Sequence, residues 1–171
     1  IISANSGTLE NILYYNVNMN HNIINIVPYD DYSSTANSIY FKNLDSIRNI
    51  YGDMYQLVMD KNEYGSENIR EKAKKYGDLT LCLYEYYHFK DTGLEVNEYQ
   101  HFNYMCMALN NLVNDGTYIF RYRGYSTNYM KQILFILAKY FDIIKVHHVE
   151  ISTYPYIYVG CYGYKKISSS D

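Results

Sequence analysis

Carboxylates stand just past two apolar runs of this chain, Asp30 and Asp31 after Ile23–Val27 and Asp60 after Tyr55–Met59. An ionised carboxylate only accepts hydrogen bonds, so Asp30 or Asp31 suits the hydroxyls of a ribose, and Asp60 suits the exocyclic amine of an adenine. Singly, each aspartate reads as an ordinary cap or turn residue. At successive strand ends, beside the turn Ser3-Ala4-Asn5-Ser6-Gly7, the ligand reading stands level with the bland one. Further on, Arg121, Arg123 and Lys131 flank Tyr122 and Tyr125, a mixture suited to phosphate contact and base stacking. The competing assignment puts Tyr122 in the core and Arg123 in solvent. The basic run Arg70–Lys75 reads as a solvated helix face.

These positions acquire meaning from the elements that must carry them. Ile1-Ile2 reads as the end of a first strand, followed by the Ser3–Gly7 turn and a short helix burying Leu9, Ile12 and Leu13. Ile23–Val27 and Tyr55–Met59 read as the second and third strands. Ser38–Lys42 suggests a further strand and Leu44–Tyr51 a helical turn. Ser66–Tyr76 reads as a charged helix closed by Gly77. Leu79–Leu83 is the fourth strand. Phe102, Met105, Leu109 and Leu112 recur at helical spacing and predict a helix over Val96–Val113. After the Asp115-Gly116 turn come a strand over Thr117–Tyr122 and a helix over Thr127–Phe141, with Tyr129, Ile133, Ile136 and Tyr140 inward. Two strands follow with no helix between them, Ile143–Val149 and Tyr156–Cys161.

Alternating strands and helices call for an α/β fold, a mostly parallel sheet covered on both faces with an antiparallel strand at its edge. One domain over residues 1–164 with a polar, frayed tail over 165–171 is expected. In such a sheet ligands bind beyond the carboxyl ends of the strands, where the strand order switches. Ser3–Gly7, Asp30, Asp31, Asp60, Tyr84–Tyr86 and Arg121–Gly124 all map there.

Composition narrows the classes. The chain has 171 residues, enough for one well-packed domain, and 48% hydrophobic content with 24 tyrosines supports a real core. A formal charge of −3 supplies no global attraction to nucleic acid, so any such contact must be local. Cys82, Cys106 and Cys161 are odd in number, widely spaced and free of any CxxC pair; they read as reduced, mostly buried thiols of an intracellular protein. His147 and His148 are adjacent in a strand and point to opposite faces, one expected in the core and one exposed, so no metal site is expected. No apolar run approaches membrane-spanning length and no signal peptide is evident. The chain opens without Met inside what reads as a strand end, so a longer polypeptide is expected.

Four segments together resemble the FtsJ-like ribose 2′-O-methyltransferases and their viral cap-methylating relatives. Ser3-Ala-Asn-Ser-Gly-Thr-Leu9 is similar to the family's small-residue turn, and Gly77-Asp-Leu-Thr-Leu-Cys-Leu83 to its fourth strand. Ala108–Arg121 resembles its leucine-rich helix, Gly turn and strand ending in Lys, and Tyr156–Tyr164 its final strand. The resemblance implies a three-layer Rossmann-like fold using S-adenosyl-L-methionine, with Ser3, Ala4, Asn5, Ser6, Gly7, Asp30, Asp31 and Asp60 around the cofactor. It implies an RNA partner, the capped 5′ end of an mRNA, contacted through Arg121, Arg123, Tyr125 and Lys131. A second capping-enzyme or polymerase chain or domain is also implied, with a location in the host cytoplasm or virion and no membrane.

The family's Lys-Asp-Lys-Glu tetrad does not carry over. Its first Lys lies upstream of Ile1, its Asp falls on Leu83 with Glu85 two residues on, its second Lys on Arg121 and its Glu on Tyr156. Arginine holds its proton too tightly to help deprotonate a ribose hydroxyl, with an intrinsic pKa above about 12. Three readings stay open: a degenerate domain partnering an active capping enzyme, an active methyltransferase such as a guanine-N7 enzyme that needs no tetrad, and an unrelated Rossmann-like binding module.

Overall fold

The computed structural model describes residues 2–4, 23–28, 49, 55–60, 79–84, 94–123, 127–148 and 156–166. The apolar runs become strands β1 (Ile2–Ala4), β2 (Ile23–Pro28), β3 (Tyr55–Asp60) and β4 (Leu79–Tyr84). Helix α1 (Leu94–Asn111), β5 (Leu112–Arg123), α2 (Asn128–Tyr140), β6 (Phe141–His148) and β7 (Tyr156–Tyr164) follow. The strands form one sheet in the order β3-β2-β1-β4-β5-β7-β6. β1 to β5 run parallel, and β7 is antiparallel to both β5 and β6. The expected antiparallel pairing at that margin is therefore present: β6 forms the edge, and the reversed strand β7 lies one place in.

α1 puts His101, Tyr104, Met105 and Ala108 on its buried face, at the i, i+3, i+4, i+7 spacing of a helix packed on a sheet. Asn111 closes it, its amide donating to the Met107 carbonyl at 2.8 Å and satisfying a terminal acceptor. Leu112 pairs with Leu79, so Leu112 and Val113 belong to the strand, two residues that the periodicity had given to the helix. The expected Asp-Gly turn survives as an irregularity within β5. Asp115 sits at φ 63°, a conformation aspartate tolerates better than most residues. A Cβ on Gly116 would lie 2.8 Å from the Val113 carbonyl oxygen, so only glycine fits there.

α2 starts at Thr127, whose hydroxyl accepts from the Met130 N–H at 3.1 Å, and carries Lys139 in its last turn, favourable to the helix dipole. Its fully buried residues are Met130, Ile133 and Leu137; Tyr129, Ile136 and Tyr140 pack at the core's margin. The buried stripe is thus turned one residue from the sequence expectation. Phe102, expected inward, is 41% exposed.

Three other expectations are corrected. Ser3 and Ala4 are strand residues hydrogen-bonded between β2 and β4, so the turn starts after them. His147 and His148 are both exposed, because edge strand β6 is covered on neither face at that end. Lys165 and Lys166 are held rather than frayed: the Lys165 N–H donates to the Tyr140 carbonyl at 2.7 Å and the Lys166 N–H to the Asn114 side chain at 3.0 Å. Lys165 also pairs with Asp142. Gly7, the proposed strand and helical turn between Ser38 and Tyr51 (Asn49 apart), and the helix at Ser66–Tyr76 lie outside the described residues. No described helix is long and apolar enough to cross a membrane.

Candidate functional site

The carboxyl ends of β1 to β5 share one rim of the sheet, because these strands are parallel and in register. Ala4 lies opposite Ile26 and Tyr84, Pro28 opposite Asp60, and Tyr84 opposite Phe120. The strand order switches between β1 and β4, so Ser3-Ala4 and Tyr84 flank the crevice where doubly wound sheets bind ligands. Asp60 is the last residue of β3, one strand from the exit of β2 toward Asp30 and Asp31. Asn5, Ser6, Gly7, Asp30, Asp31, Glu85 and Tyr125 lie outside the described residues. Ser3, Ala4 and Asp60 thus stand at the carboxyl ends of β1 and β3.

Leu83, Arg121 and Tyr156 share one face but lie along a diagonal, with the Leu83 and Tyr156 backbones roughly 16 Å apart. Leu83 pairs with Ile119, Arg121 with Tyr158 and Arg123 with Tyr156. Residues opposite one another in a ladder share a face, and positions along a strand alternate. Leu83, Ile119, Arg121, Tyr158 and the Tyr156 position therefore fall on one face. Strand spacing and rise place the Leu83 and Arg121 backbones roughly 8 Å apart. Leu83 is buried and Arg121 half-buried. This face carries an alkyl group at Leu83 and a guanidinium at Arg121.

The opposite face carries Tyr118, Phe120 and Tyr122, all buried under α1 and α2. His101, 2% exposed, sits at its centre. His101 Nδ1 is 2.7 Å from the Tyr129 hydroxyl and Nε2 is 3.0 Å from the Tyr118 hydroxyl. Tyr129 spends its own proton on the Glu98 carbonyl at 2.9 Å. It can therefore only accept from His101, which makes Nδ1 the protonated nitrogen and Nε2 the acceptor for Tyr118. Burial holds this imidazole neutral, its pKa lowered from 6.5 to about 3. Tyr122 extends the chain, donating to the Glu98 carboxylate at 2.8 Å and meeting the Thr127 hydroxyl at 3.2 Å. Burial raises the Tyr118 phenol well above its ordinary range and pushes Tyr122 up to about 12, with Glu98 adding to the latter.

None of these groups is poised to lose or gain a proton near neutrality; the network sets geometry. It ties β5 to α1 and α2, and so fixes the rim at which β5 ends. Sequence reading missed it, although His101 shares a helix face with Tyr104, Met105 and Ala108, a signal that it points inward.

Cys82 and Cys161 are free and buried, their thiols pushed up to about 12 by desolvation; Cys106 is half-buried. High thiol pKa values make the first two poor nucleophiles and poor metal ligands. Among the described residues no three His, Cys, Asp or Glu side chains gather to hold a metal ion.

The sheet order, the reversed β7 and the helix-covered face define an α/β Rossmann-like methyltransferase fold. The structure superposes on a protein described as a ribosomal RNA methyltransferase from Plasmodium falciparum, with TM-score 0.60 and 13% identity, over 95% of this chain and 85% of that one. It is similarly like human methyltransferase-like protein 13 in complex with SAH, with TM-score 0.62 and 9% identity, over 98% and 74% of the two chains. An rRNA methylase from Streptococcus thermophilus matches with TM-score 0.57 and 9% identity, over 96% and 86%. No protein-family model matches the chain, and no curated protein matches it by sequence.

Proposed function

We propose that this chain is the methyltransferase-like domain of a viral-type mRNA-capping apparatus, a degenerate 2′-O-methyltransferase serving as structural, RNA-positioning or regulatory partner of an active capping enzyme or polymerase chain. The observation that supports this reading is that Leu83, Arg121 and Tyr156 fall on one face of β4, β5 and β7, with Leu83 and Arg121 roughly 8 Å apart. A ribose hydroxyl needs a group whose pKa its surroundings can lower, and neither an alkyl chain nor a guanidinium provides one.

The rim fits S-adenosyl-L-methionine in its donor chemistry. Small residues Ser3 and Ala4 end β1 at the switch point, and Asp60 ends β3 where an adenine amine would meet an acceptor. Asp30 and Asp31 follow β2 in sequence and suit the ribose hydroxyls. When bound, the cofactor would supply an electrophilic methyl group; this chain's own residues would bind and orient it. Arg121 and the Arg123 position lie on the face away from α2, and Lys131 on α2 itself, so these residues and Tyr125 would meet an RNA that crosses the rim. A host-cytoplasmic or virion location accompanies this reading.

The test is methyl transfer from radiolabelled donor to capped RNA, read separately at the guanine N7 and the first ribose. No ribose methylation is expected from the wild type, and none from Arg121→Lys, since the acidic partners are also missing. Ribose methylation by either protein would overturn the reading. The second reading, a guanine-N7 enzyme, is favoured by one point: its nucleophile is already neutral, so positioning alone can supply rate and the lost tetrad is no handicap. Transfer to N7 together with micromolar donor binding that falls on Asp60→Ala would establish it.

A further inference from the structure

The outward side of α2 carries a stripe unrelated to the core. Lys131, Phe135 and Lys139 are spaced four residues apart and all are exposed, Phe135 by 67%. A residue four further along a helix lies on the same side, so the three form one line about 12 Å long. The Lys139 ammonium lies 4.8 Å from the centroid of the Phe135 ring. Lys131, Gln132, Phe135 and Ile136 line an open, mostly apolar depression of about 420 Å³ beside that ring. No carboxylate occurs anywhere in Asn128–Tyr140 to neutralise the lysines.

The Phe135 ring holds the Lys139 ammonium over one face and is otherwise largely exposed, so a stacking partner would use the other face; leaving that surface in water forfeits the burial that core phenylalanines gain. What suits it is a flat, sequence-tolerant partner, and what suits the lysines on either side is regularly spaced negative charge. A nucleobase attached to a phosphate backbone has both features. A folded protein partner would more commonly meet a larger apolar patch with fewer lysines, since interface cores are depleted of lysine. The stripe also begins at the rim. β5 delivers the chain to the rim at Arg123, and α2 runs back from Thr127, which is tied to Tyr122 by its hydroxyl. Lys131 thus lies nearest the rim and Lys139 farthest, along the helix-covered side of the sheet.

We infer that the Lys131–Phe135–Lys139 face of α2 binds single-stranded nucleic acid, one base stacking on Phe135 and adjacent phosphates contacting the two lysines. The choice of RNA as the natural strand rests on the function proposed above; the stacking-and-phosphate site itself rests on the stripe.

The test is a fluorescence anisotropy titration of the whole chain with a fluorescein-labelled single-stranded RNA, with the same sequence as DNA and as RNA duplex in parallel. Phe135→Ala should weaken single-strand binding roughly five- to a hundredfold, as stacking residues do, and Phe135→Trp should preserve it. The Lys131→Ala, Lys139→Ala double variant should flatten the salt dependence by about 1.4 in log–log slope, two phosphates at about 0.7 each. Preference for RNA over DNA supports the natural strand assigned here; equal binding removes RNA specificity but leaves the stripe. Phe135 is exposed, so its variants should fold, checked by an unchanged melting temperature. Affinity within twofold of wild type in Phe135→Ala, or duplex bound as well as single strand, would overturn the inference. The methyl-transfer assay reports on the rim and is read independently of this titration.

Discussion

The two faces of β4, β5 and β7 treat polar groups in opposite ways. On the helix-covered face, His101, Tyr118 and Tyr122 are buried and Tyr129 is half-buried, yet each finds a hydrogen-bond partner. On the other face, Leu83 and Arg121 lie roughly 8 Å apart with neither a carboxylate nor an amine at either position. One face holds costly polar groups in fixed geometry, and the other sets an alkyl chain near a guanidinium. Burial, more than residue type, separates a structural polar group from a reactive one: the same histidine at the rim would titrate near neutrality, and here it cannot.

This contrast is sharpest if changes on the covered face move stability and leave rim binding alone. His101→Leu should show the largest effect. It strands the Tyr118 hydroxyl in the core, and a buried group left without a partner costs about 1–3 kcal/mol, so urea denaturation should give a loss near the upper part of that range. Adding Tyr118→Phe should recover part of that loss, since the orphaned hydroxyl goes with it. A cycle showing no coupling between the two residues would mean that the hydrogen bonds around His101 contribute nothing.

The pH dependence comes next. His101 binds a proton at 6.5 when unfolded and only near 3 when folded, so the unfolded chain holds more protons between those values. Stability from this group is fully present above 6.5 and falls as pH drops toward 3, by about 2 kcal/mol between about pH 7 and pH 5. His101→Leu should remove that part of the slope. An unchanged slope would show the imidazole to be more accessible to solvent than its surroundings indicate.

Thr127→Ala should have the smallest effect, about 1 kcal/mol from the lost cap on α2. It bears on both regions at once, because the same hydroxyl meets Tyr122 in the network and starts the helix at the rim. A melting temperature equal to wild type would separate the cap from the network.

Much of this fold could be read from residues. Mostly apolar runs such as Tyr55–Met59 and Leu79–Leu83, interrupted only by Gln56 and Thr80, marked parallel strands to within a residue. The Asp115-Gly116 pair marked the break between helix and strand. Misjudged positions were those decided by neighbours far off in sequence. Leu112 joins a strand because Leu79 lies beside it, and Ser3 and Ala4 do because β2 and β4 flank them. α2 turned by one residue because Tyr129 was drawn to His101 and Glu98, at the margin of the core and not its centre. In the candidate site, chain order located the rim and put Leu83, Arg121 and Tyr156 on three neighbouring strands. The polar network escaped because a single histidine in a helix carries no spacing signal until its tyrosine partners, 17 and 28 residues away, are brought to it.

The reversed strand has a consequence for how the molecule is made. β7 is synthesised last of the described strands and belongs between two made earlier, so β5 and β6 cannot hydrogen-bond across the gap that it fills. Until Tyr156–Tyr164 clears the ribosome, the nascent chain carries two open strand flanks where pairing with another polypeptide is possible. Closure of this half of the sheet thus waits until β7 has been made, and the interval before it is when the growing protein is most exposed to misassembly.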